Sequence, residues 1–274
     1  MSEGLYFAYG SNLNLADYAA RGYNPAHLRV VGRAMLPDQA LGFWRFSRLR
    51  QAGVLNIQPR LGAMVPGLLY AVEAAGWPEL DRKEGAPDHY QRQAVFVLDE
   101  AGEAVAATTY AAPLAAFCAP DRNYYETVRT GMIAHGVGDL AAFDGIAAGQ
   151  EAPLPGLFVY GTLRAGQSRA AIAGDGPRRS ATTTGRLLDC GAYPALVAGD
   201  GRVVGEWLPL DDPDRLRRLD RVEGFYGHGR PDNLYRRVLV SVEVEGSTRW
   251  AWTYRYAAED RGWPEILSGD WLGR

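Results

Sequence analysis

The chain has 274 residues, enough for about two domains, and its 47% hydrophobic and 22% charged residues are ordinary values for a folded globular protein. Its 29 basic and 32 acidic residues give a net charge of -3, with no basic excess on either side of Gln150, so we expect no nucleic-acid partner. Lys83 is the only lysine and follows an arginine, which excludes a Walker phosphate loop because that motif needs a Gly-Lys pair.

The N-terminal sequence MSEGLYFAYG lacks the basic and apolar regions of a secretory signal, and no apolar run approaches the roughly 20 residues of a membrane span. We therefore expect a cytoplasmic protein with no membrane partner. Cys118 and Cys190 lie far apart and outside any C-x-x-C motif, so neither a disulfide nor a zinc site is predicted. Both are expected to be small buried hydrophobic residues.

The first half begins with a short aromatic run that ends at a glycine, which indicates a strand entering a tight turn, with Asn12 as the cap of the next helical turn. Near its end, Tyr124, Val128, Met132 and Ile133 lie near one face of a predicted helix. The expected elements are strands at 5–9, 94–98 and 104–110 and helices at 77–84 and 124–143.

In the second half, Thr162 is the expected cap after the first strand, and Asp212 is the expected N-cap of a helix that begins at Pro213 and stops at Gly224. The glycines of residues 199–205 indicate a hairpin turn rather than a dinucleotide site, because their spacing is one residue too long. The expected strands are 157–160, 195–197, 203–204, 237–244 and 249–256. Short strands with few helices predict an α+β fold.

Four sequence blocks occur twice, in the same order, which makes two homologous domains the best explanation. The expected domains are residues 1–150 and 151–274, because the segment 144–156 is rich in glycine, alanine and proline. The paired blocks are 5–13 with 157–164, 80–85 with 219–224, 90–95 with 235–240, and 109–110 with 253–254.

Glu84 and Glu223 each stand at the predicted C-terminal end of a helix, immediately before a glycine. The negative end of the helix dipole disfavours a carboxylate there, so we expect a raised pKa and a role as general acid/base. The alternative is that each glutamate only bonds amides of the turn and faces water. Asp81 and Asp220, three residues earlier, are expected to orient the local backbone.

The Tyr-Gly-Ser-Asn and Tyr-Gly-Thr-Leu turns are the second candidate feature. Successive N–H groups at a strand-to-helix turn bind carboxylates or oxyanions, and Ser11 or Thr162 adds a hydroxyl donor. The alternative is a tight turn whose Tyr9 or Tyr160 packs in the core. No H-E-x-x-H or G-x-S-x-G motif occurs, so a metalloprotease and an α/β-hydrolase have no support.

These motifs resemble the γ-glutamylcyclotransferase superfamily in both halves. FAYGSNL and LDRKEG are similar to the γ-glutamylcyclotransferase branch, whereas VYGTLRAGQS, LDRVEG and SGDW are similar to the AIG2-like branch, which includes γ-glutamylamine cyclotransferases. The resemblance implies two tandem domains, each a small twisted barrel-like β-sheet with flanking helices. It also implies attack of a γ-glutamyl α-amine on its own γ-carbonyl, which releases 5-oxoproline and an amine, without metal or cofactor.

By this resemblance Glu84 and Glu223 are the catalytic acid/base residues, each facing its turn across a cavity. The other residues expected in the first site are Tyr9, Gly10, Ser11, Asn12, Leu13, Tyr90, Tyr110 and Tyr124, and those expected in the second are Tyr160, Gly161, Thr162, Leu163, Tyr235 and Tyr254. The implied partner is a small γ-glutamyl substrate, bound by a monomer or homodimer.

The second copy has six more residues than the first between its glutamate and the following tyrosine, within the stretch FYGHGRPDNL. The two domains therefore need not share a substrate. The alternative function is a small-molecule-binding protein in which one or both domains are inactive.

Overall fold

The computed structural model describes residues 4–258 and 262–274. The chain divides into two compact units, Met1–Pro153 (unit 1) and Leu154–Arg274 (unit 2). The division falls inside the segment rich in glycine, alanine and proline. Among the helices of the described part, none is long and apolar enough to cross a membrane.

Unit 1 is a closed barrel of five strands in the order β1-β3-β2-β4-β5. Adjacent strands pair antiparallel except at the closure, where β5 runs parallel to β1 with Thr108 opposite Tyr6. The strands are β1 (Gly4–Ala8), β2 (Leu28–Ser47), β3 (Ala52–Val72), β4 (Gln91–Asp99) and β5 (Ala104–Ala111), and the helices are α1 (Leu15–Ala20), α2 (Gly76–Glu84), α3 (Arg122–His135) and α4 (Leu140–Ala147).

Unit 2 repeats this topology with the order β6-β8-β7-β9-β10. Its closure is again parallel, between β10 and β6, with Trp252 opposite Leu157. The strands are β6 (Gly156–Val159), β7 (Arg179–Asp189), β8 (Pro194–Leu208), β9 (Tyr235–Val244) and β10 (Ser247–Tyr256), and the helices are α5 (Ala170–Ala173) and α6 (Pro213–Val222). The prediction of two tandem α+β domains with barrel-like sheets is confirmed.

Each barrel encloses its own hydrophobic core. The first strand of each unit ends in a continuous run of buried side chains, so both faces of that strand are covered, whereas β9 alternates buried and exposed side chains toward its end. Phe7 and Tyr70 are fully buried in unit 1, and Phe158 and Val242 are fully or almost fully buried in unit 2. The first and shortest strand of each unit is thereby fixed in the barrel wall, and the turn that follows it starts from a rigid position.

The helices α2 and α6 end in the same way. Gly85 and Gly224 have φ angles of 64° and 62°, in the left-handed region that glycine adopts without strain. The N–H after each glycine bonds to the carbonyl of the motif aspartate, over 2.9 Å in unit 1 and 2.8 Å in unit 2. Glu84 and Glu223 therefore occupy equivalent positions at the last turn of their helices.

Two predicted elements are wrong. The helix expected over 124–143 is two helices, because Gly136 at φ 60° ends α3, and Ile133 is 55% exposed rather than on the buried face. The hairpin expected near residues 199–205 is one continuous strand, β8, which pairs with β7 on both sides of residues 198–201. A register shift between Thr184 and Arg186 accommodates its glycines.

Two predicted caps and the predicted burial of the cysteines are also wrong. The cap of α1 is Asn14, whose side chain accepts from the Asp17 N–H, so Asn12 is not a cap. Thr162 caps no helix, because α5 begins only at Ala170. Cys118 and Cys190 are half-buried thiols, and neither forms a disulfide.

Candidate functional site

A buried tyrosine fixes the turn in each unit. The Tyr9 hydroxyl donates to the Tyr110 carbonyl over 2.6 Å, and the Tyr160 hydroxyl donates to the Tyr254 carbonyl over 2.7 Å. Each bond ties the end of the first strand to the last strand of the barrel. The two tyrosines therefore pack in the core and also hold the glycine turn in place.

The motif aspartates attach α2 and α6 to the barrels. The Tyr110 hydroxyl donates to Asp81 over 2.7 Å, and the Tyr254 hydroxyl donates to Asp220 over 2.6 Å. Each aspartate also forms an ion pair with an arginine of the barrel. Arg92 of β4 pairs with Asp81 over 2.7 Å, and Arg237 of β9 pairs with Asp220 over 2.8 Å. The aspartates thus act through side chains from the barrel rather than on the local backbone, and they set the position of the glutamate three residues later.

In unit 1 the glutamate lies against the turn. The Asn12 side-chain amide donates to the Glu84 Oε1 over 2.8 Å and to the Tyr6 hydroxyl over 2.7 Å. Lys83 donates to the Ser11 hydroxyl over 3.1 Å, and its Nζ lies 3.8 Å from Glu84 Oε1. Burial lowers the pKa of Lys83, and the nearby Glu84 charge opposes that shift.

Two more predicted tyrosines of unit 1 meet at Leu55. Tyr90 donates to the Leu55 carbonyl over 2.7 Å, and the Tyr124 hydroxyl accepts from the Leu55 N–H over 3.3 Å. A Cβ added at Gly10 would lie 3.3 Å from the Tyr124 hydroxyl. Burial raises the pKa of Tyr90 and Tyr124, and the Glu84 charge raises both further.

Leu13 differs from the other predicted residues of the first site. It is 1% exposed and lies directly against Gly131 of α3, so it belongs to the core beneath the turn. Tyr110 belongs to the frame, since its hydroxyl and its carbonyl are both hydrogen-bonded. Asn12 contacts Glu84 directly, and Ser11 contacts it through Lys83. Gly10, Tyr90 and Tyr124 meet at Leu55, and Tyr9 holds the turn.

Unit 2 contains a cavity of about 120 Å³ between the turn and the glutamate. Every residue predicted for the second site lies in its wall. These are Tyr160, Gly161, Thr162, Leu163, Glu223, Tyr235 and Tyr254.

Glu223 is electrostatically distinctive. Burial raises its pKa from the ordinary 4.5 to about 7, and the charge of Arg169 opposes the shift. The direction agrees with the expectation from sequence, and desolvation is its largest cause. A carboxyl group with a pKa near 7 exchanges a proton readily at neutral pH. In the described part of the chain, no group of three or more His, Cys, Asp or Glu side chains could hold a metal ion.

Sequence reasoning missed several wall residues. Tyr193 and Pro194 enter the cavity of unit 2 from the start of β8, and Arg169 enters from the segment before α5. Pro194 is the counterpart of Leu55, because its carbonyl accepts from Tyr235 over 3.2 Å. None of the three lies in a repeated block, so the repeat could not reveal them.

Comparison with known proteins places both units in one group. A family model described as gamma-glutamyl cyclotransferase, AIG2-like, matches residues 6–130 and 157–273. A gamma-L-glutamyl-butirosin B gamma-glutamyl cyclotransferase from Niallia circulans is 36% identical over 121 residues, covering 43% of this chain and 76% of that protein. A gamma-glutamylaminecyclotransferase from Bos taurus is 33% identical over 113 residues, covering 36% of this chain and 61% of that protein. A solved gamma-glutamyl cyclotransferase structure is 24% identical with a TM-score of 0.48, covering 54% of this chain and 88% of that chain.

Proposed function

The chain belongs to the gamma-glutamyl cyclotransferase, AIG2-like family and is an enzyme of that type, and from this premise we propose that it releases 5-oxoproline from a γ-glutamyl amine or γ-glutamyl amino acid. The observation that carries the proposal is the cavity of unit 2, in which Glu223 has a pKa of about 7 and faces the Gly161 turn. A base that titrates near neutral pH suits the removal of a proton from an α-ammonium group.

In the proposed reaction, Glu223 accepts a proton from the α-ammonium of the γ-glutamyl group. The freed α-nitrogen attacks the γ-carbonyl carbon, a C–N bond forms, and the carbonyl oxygen becomes an oxyanion. Collapse of this intermediate breaks the original amide C–N bond. The α-nitrogen loses two protons in all, carried in turn by Glu223, and both end on the leaving amine, which departs as an ammonium.

The turn supplies donors for the oxyanion. The Arg164 N–H closes the turn onto the Gly161 carbonyl over 3.0 Å. Thr162 and Leu163 lie between these two residues in the turn. Their N–H groups have no acceptor within the described ranges of the chain. Free N–H groups fixed before the substrate arrives stabilise a developing oxyanion without reorganisation.

The cavity also favours cyclisation through its shape. The γ-glutamyl chain must fold so that its two ends meet, and a small pocket that holds this conformer removes several kcal/mol of the barrier by orientation. Tyr160, Tyr235 and Tyr254 form firm walls, because their hydroxyls are hydrogen-bonded to the protein. This supports a substrate whose γ-glutamyl end, rather than its leaving amine, occupies the pocket.

For unit 1 we propose the same chemistry, with Glu84 as the base and the Gly10 turn as the oxyanion site. A second candidate is that unit 1 binds a γ-glutamyl compound without turning it over. The observation in favour of this candidate is that the Glu84 Oε1 is already held by Asn12, 2.8 Å away, with Lys83 at 3.8 Å.

The test is 5-oxoproline release by the full chain from γ-glutamyl amines and γ-glutamyl amino acids. Glu84→Gln and Glu223→Gln should each remove the activity of one unit, by about 10²- to 10⁴-fold, which is the usual contribution of a general base. The double variant should be inactive against every substrate. Unchanged turnover in the double variant would overturn the mechanism. If Glu84→Gln alone leaves 5-oxoproline release unchanged, binding without turnover in unit 1 is favoured.

A further inference from the structure

The wall of the unit 2 cavity carries one cationic and one anionic side chain. Arg169 is the cation and Glu223 is the anion, and the remaining wall residues are apolar, hydroxyl-bearing or glycine. The two charges are close enough for Arg169 to lower the pKa of Glu223 against the effect of burial. The cavity therefore presents one positive and one negative group to whatever binds there.

Arg169 differs from the other arginines near this site. Arg164, Arg178 and Arg237 are all buried or half-buried and form ion pairs with carboxylates. Arg169 is exposed, and in the described part of the chain its guanidinium has no ion pair or hydrogen bond. Its backbone N–H donates to the Thr162 carbonyl over 2.9 Å, which ties it to the turn.

The α-carbon of a γ-glutamyl group carries an ammonium and a carboxylate side by side. Resting on the proposed function, which assigns the ammonium to Glu223, we propose that Arg169 binds the α-carboxylate and makes unit 2 specific for an intact γ-glutamyl group. A guanidinium matches a carboxylate with two parallel hydrogen bonds, and Arg169 has no ion pair with a carboxylate of the described residues that must be broken first. Charge complementarity at both groups fixes the α-carbon, and the γ-carbonyl then reaches the N–H groups of the turn.

Unit 1 has no cation at the sequence position that matches Arg169. Counting eight residues from the turn glycine leads to Arg169 in unit 2 and to Tyr18 in unit 1, which is fully buried. The residue before the glutamate is Val222 in unit 2 and Lys83 in unit 1. Lys83 of unit 1 and Arg169 of unit 2 thus come from different elements of the fold.

The experiment uses the full chain with Glu84→Gln, so that turnover reports unit 2. Arg169→Ala and Arg169→Lys are compared with Arg221→Ala, which removes an exposed charge two residues from Glu223 but outside the cavity wall. The substrates are a γ-glutamyl amine and the 4-aminobutanoyl amide of the same amine, which lacks only the α-carboxylate. The inhibitors are 5-oxoproline and 2-pyrrolidinone, which differ in the same way.

Arg169→Ala should lower kcat/KM for the γ-glutamyl amine about 10- to 100-fold, mainly through KM, and weaken 5-oxoproline binding similarly. The 4-aminobutanoyl amide and 2-pyrrolidinone should change less than about twofold, and Arg169→Lys should recover part of the loss. If Arg169→Ala lowers kcat/KM equally for the substrates with and without the α-carboxylate, or lowers it for neither, the inference is overturned. If the chain that retains Arg169 releases no 5-oxoproline, the proposed function fails. Calorimetry that compares the binding of 5-oxoproline with that of 2-pyrrolidinone still decides the role of Arg169.

Discussion

The two units share a frame and differ in what surrounds the glutamate. Thr109 and Thr253 donate to the carbonyls of Phe7 and Phe158, over 2.9 Å in both units. The tyrosine and aspartate bonds described above agree within about 0.1 Å. Around the glutamate, by contrast, unit 1 has Asn12 and Lys83 in polar contact, whereas in unit 2 desolvation raises the pKa of Glu223. A duplicated frame therefore holds the position of the glutamate constant while the electrostatics around it diverge.

The largest expected difference concerns the aspartate that holds the helix. Arg237 is 1% exposed and Asp220 is 16% exposed, whereas Arg92 and Asp81 are 42% and 35% exposed. Removing one partner of a buried ion pair costs about 3–5 kcal/mol, and removing one from an exposed pair costs about 0–1 kcal/mol.

Asp220→Ala should therefore destabilise unit 2 far more than Asp81→Ala destabilises unit 1. Hydrogen exchange with mass spectrometry resolves the two units in the full chain and gives the free energy of opening for each. An equal decrease in the free energy of opening of the two units would mean that burial does not distinguish these ion pairs.

The pH dependence of unit 2 is the next largest expected effect. With Glu84→Gln in place, kcat/KM should rise with pH and reach half its maximum near pH 7, because the base must be deprotonated to accept the α-ammonium proton. Two pH units lower, at pH 5, activity should be about 100-fold below the plateau. Fluorescence of the tryptophans controls for unfolding. A flat profile between pH 5 and pH 8 would show that Glu223 is not the base.

A smaller effect is expected at Lys83, which has no counterpart in unit 2. With Glu223→Gln in place, Lys83→Met should lower the kcat/KM of unit 1 about tenfold, because the charged hydrogen bond to Ser11 is lost. Stability should not fall, since burial lowers the pKa of Lys83 and so disfavours its charge in the folded chain. Lys83→Arg is the matched variant that keeps the charge. Unchanged kinetics would exclude Lys83 from the site.

The smallest effect tests the shared frame. Tyr9→Phe and Tyr160→Phe each remove one buried hydrogen bond of nearly the same length. Each should destabilise its own unit by about 1 kcal/mol, the usual net contribution of such a bond. The same unit-resolved hydrogen exchange measures both. A difference greater than about 1 kcal/mol between the two would contradict an equivalent frame.

The sequence predicted the features that are local and repeated. The L-D-R-x-E-G block indicated both the helix end and the glutamate, because a glycine stop is a property of a few adjacent residues. Asn12 was predicted as a cap from local pattern and as a residue of the first site by resemblance. Its amide reaches Glu84, 72 residues away, which local pattern alone cannot show. Arg169 was missed for a related reason, since only closure of the barrel brings it beside Glu223.

Burial of Glu223 also has a thermodynamic consequence. An unfolded chain loses the proton of this carboxyl group near pH 4.5, whereas the folded unit holds it up to about pH 7. The folded state therefore binds the extra proton between these values, and the stability of unit 2 falls as pH rises through them, by about 3 kcal/mol in all. At neutral pH unit 2 is accordingly less stable than its packing alone would make it, and Glu223→Gln should return part of that free energy of unfolding while abolishing turnover.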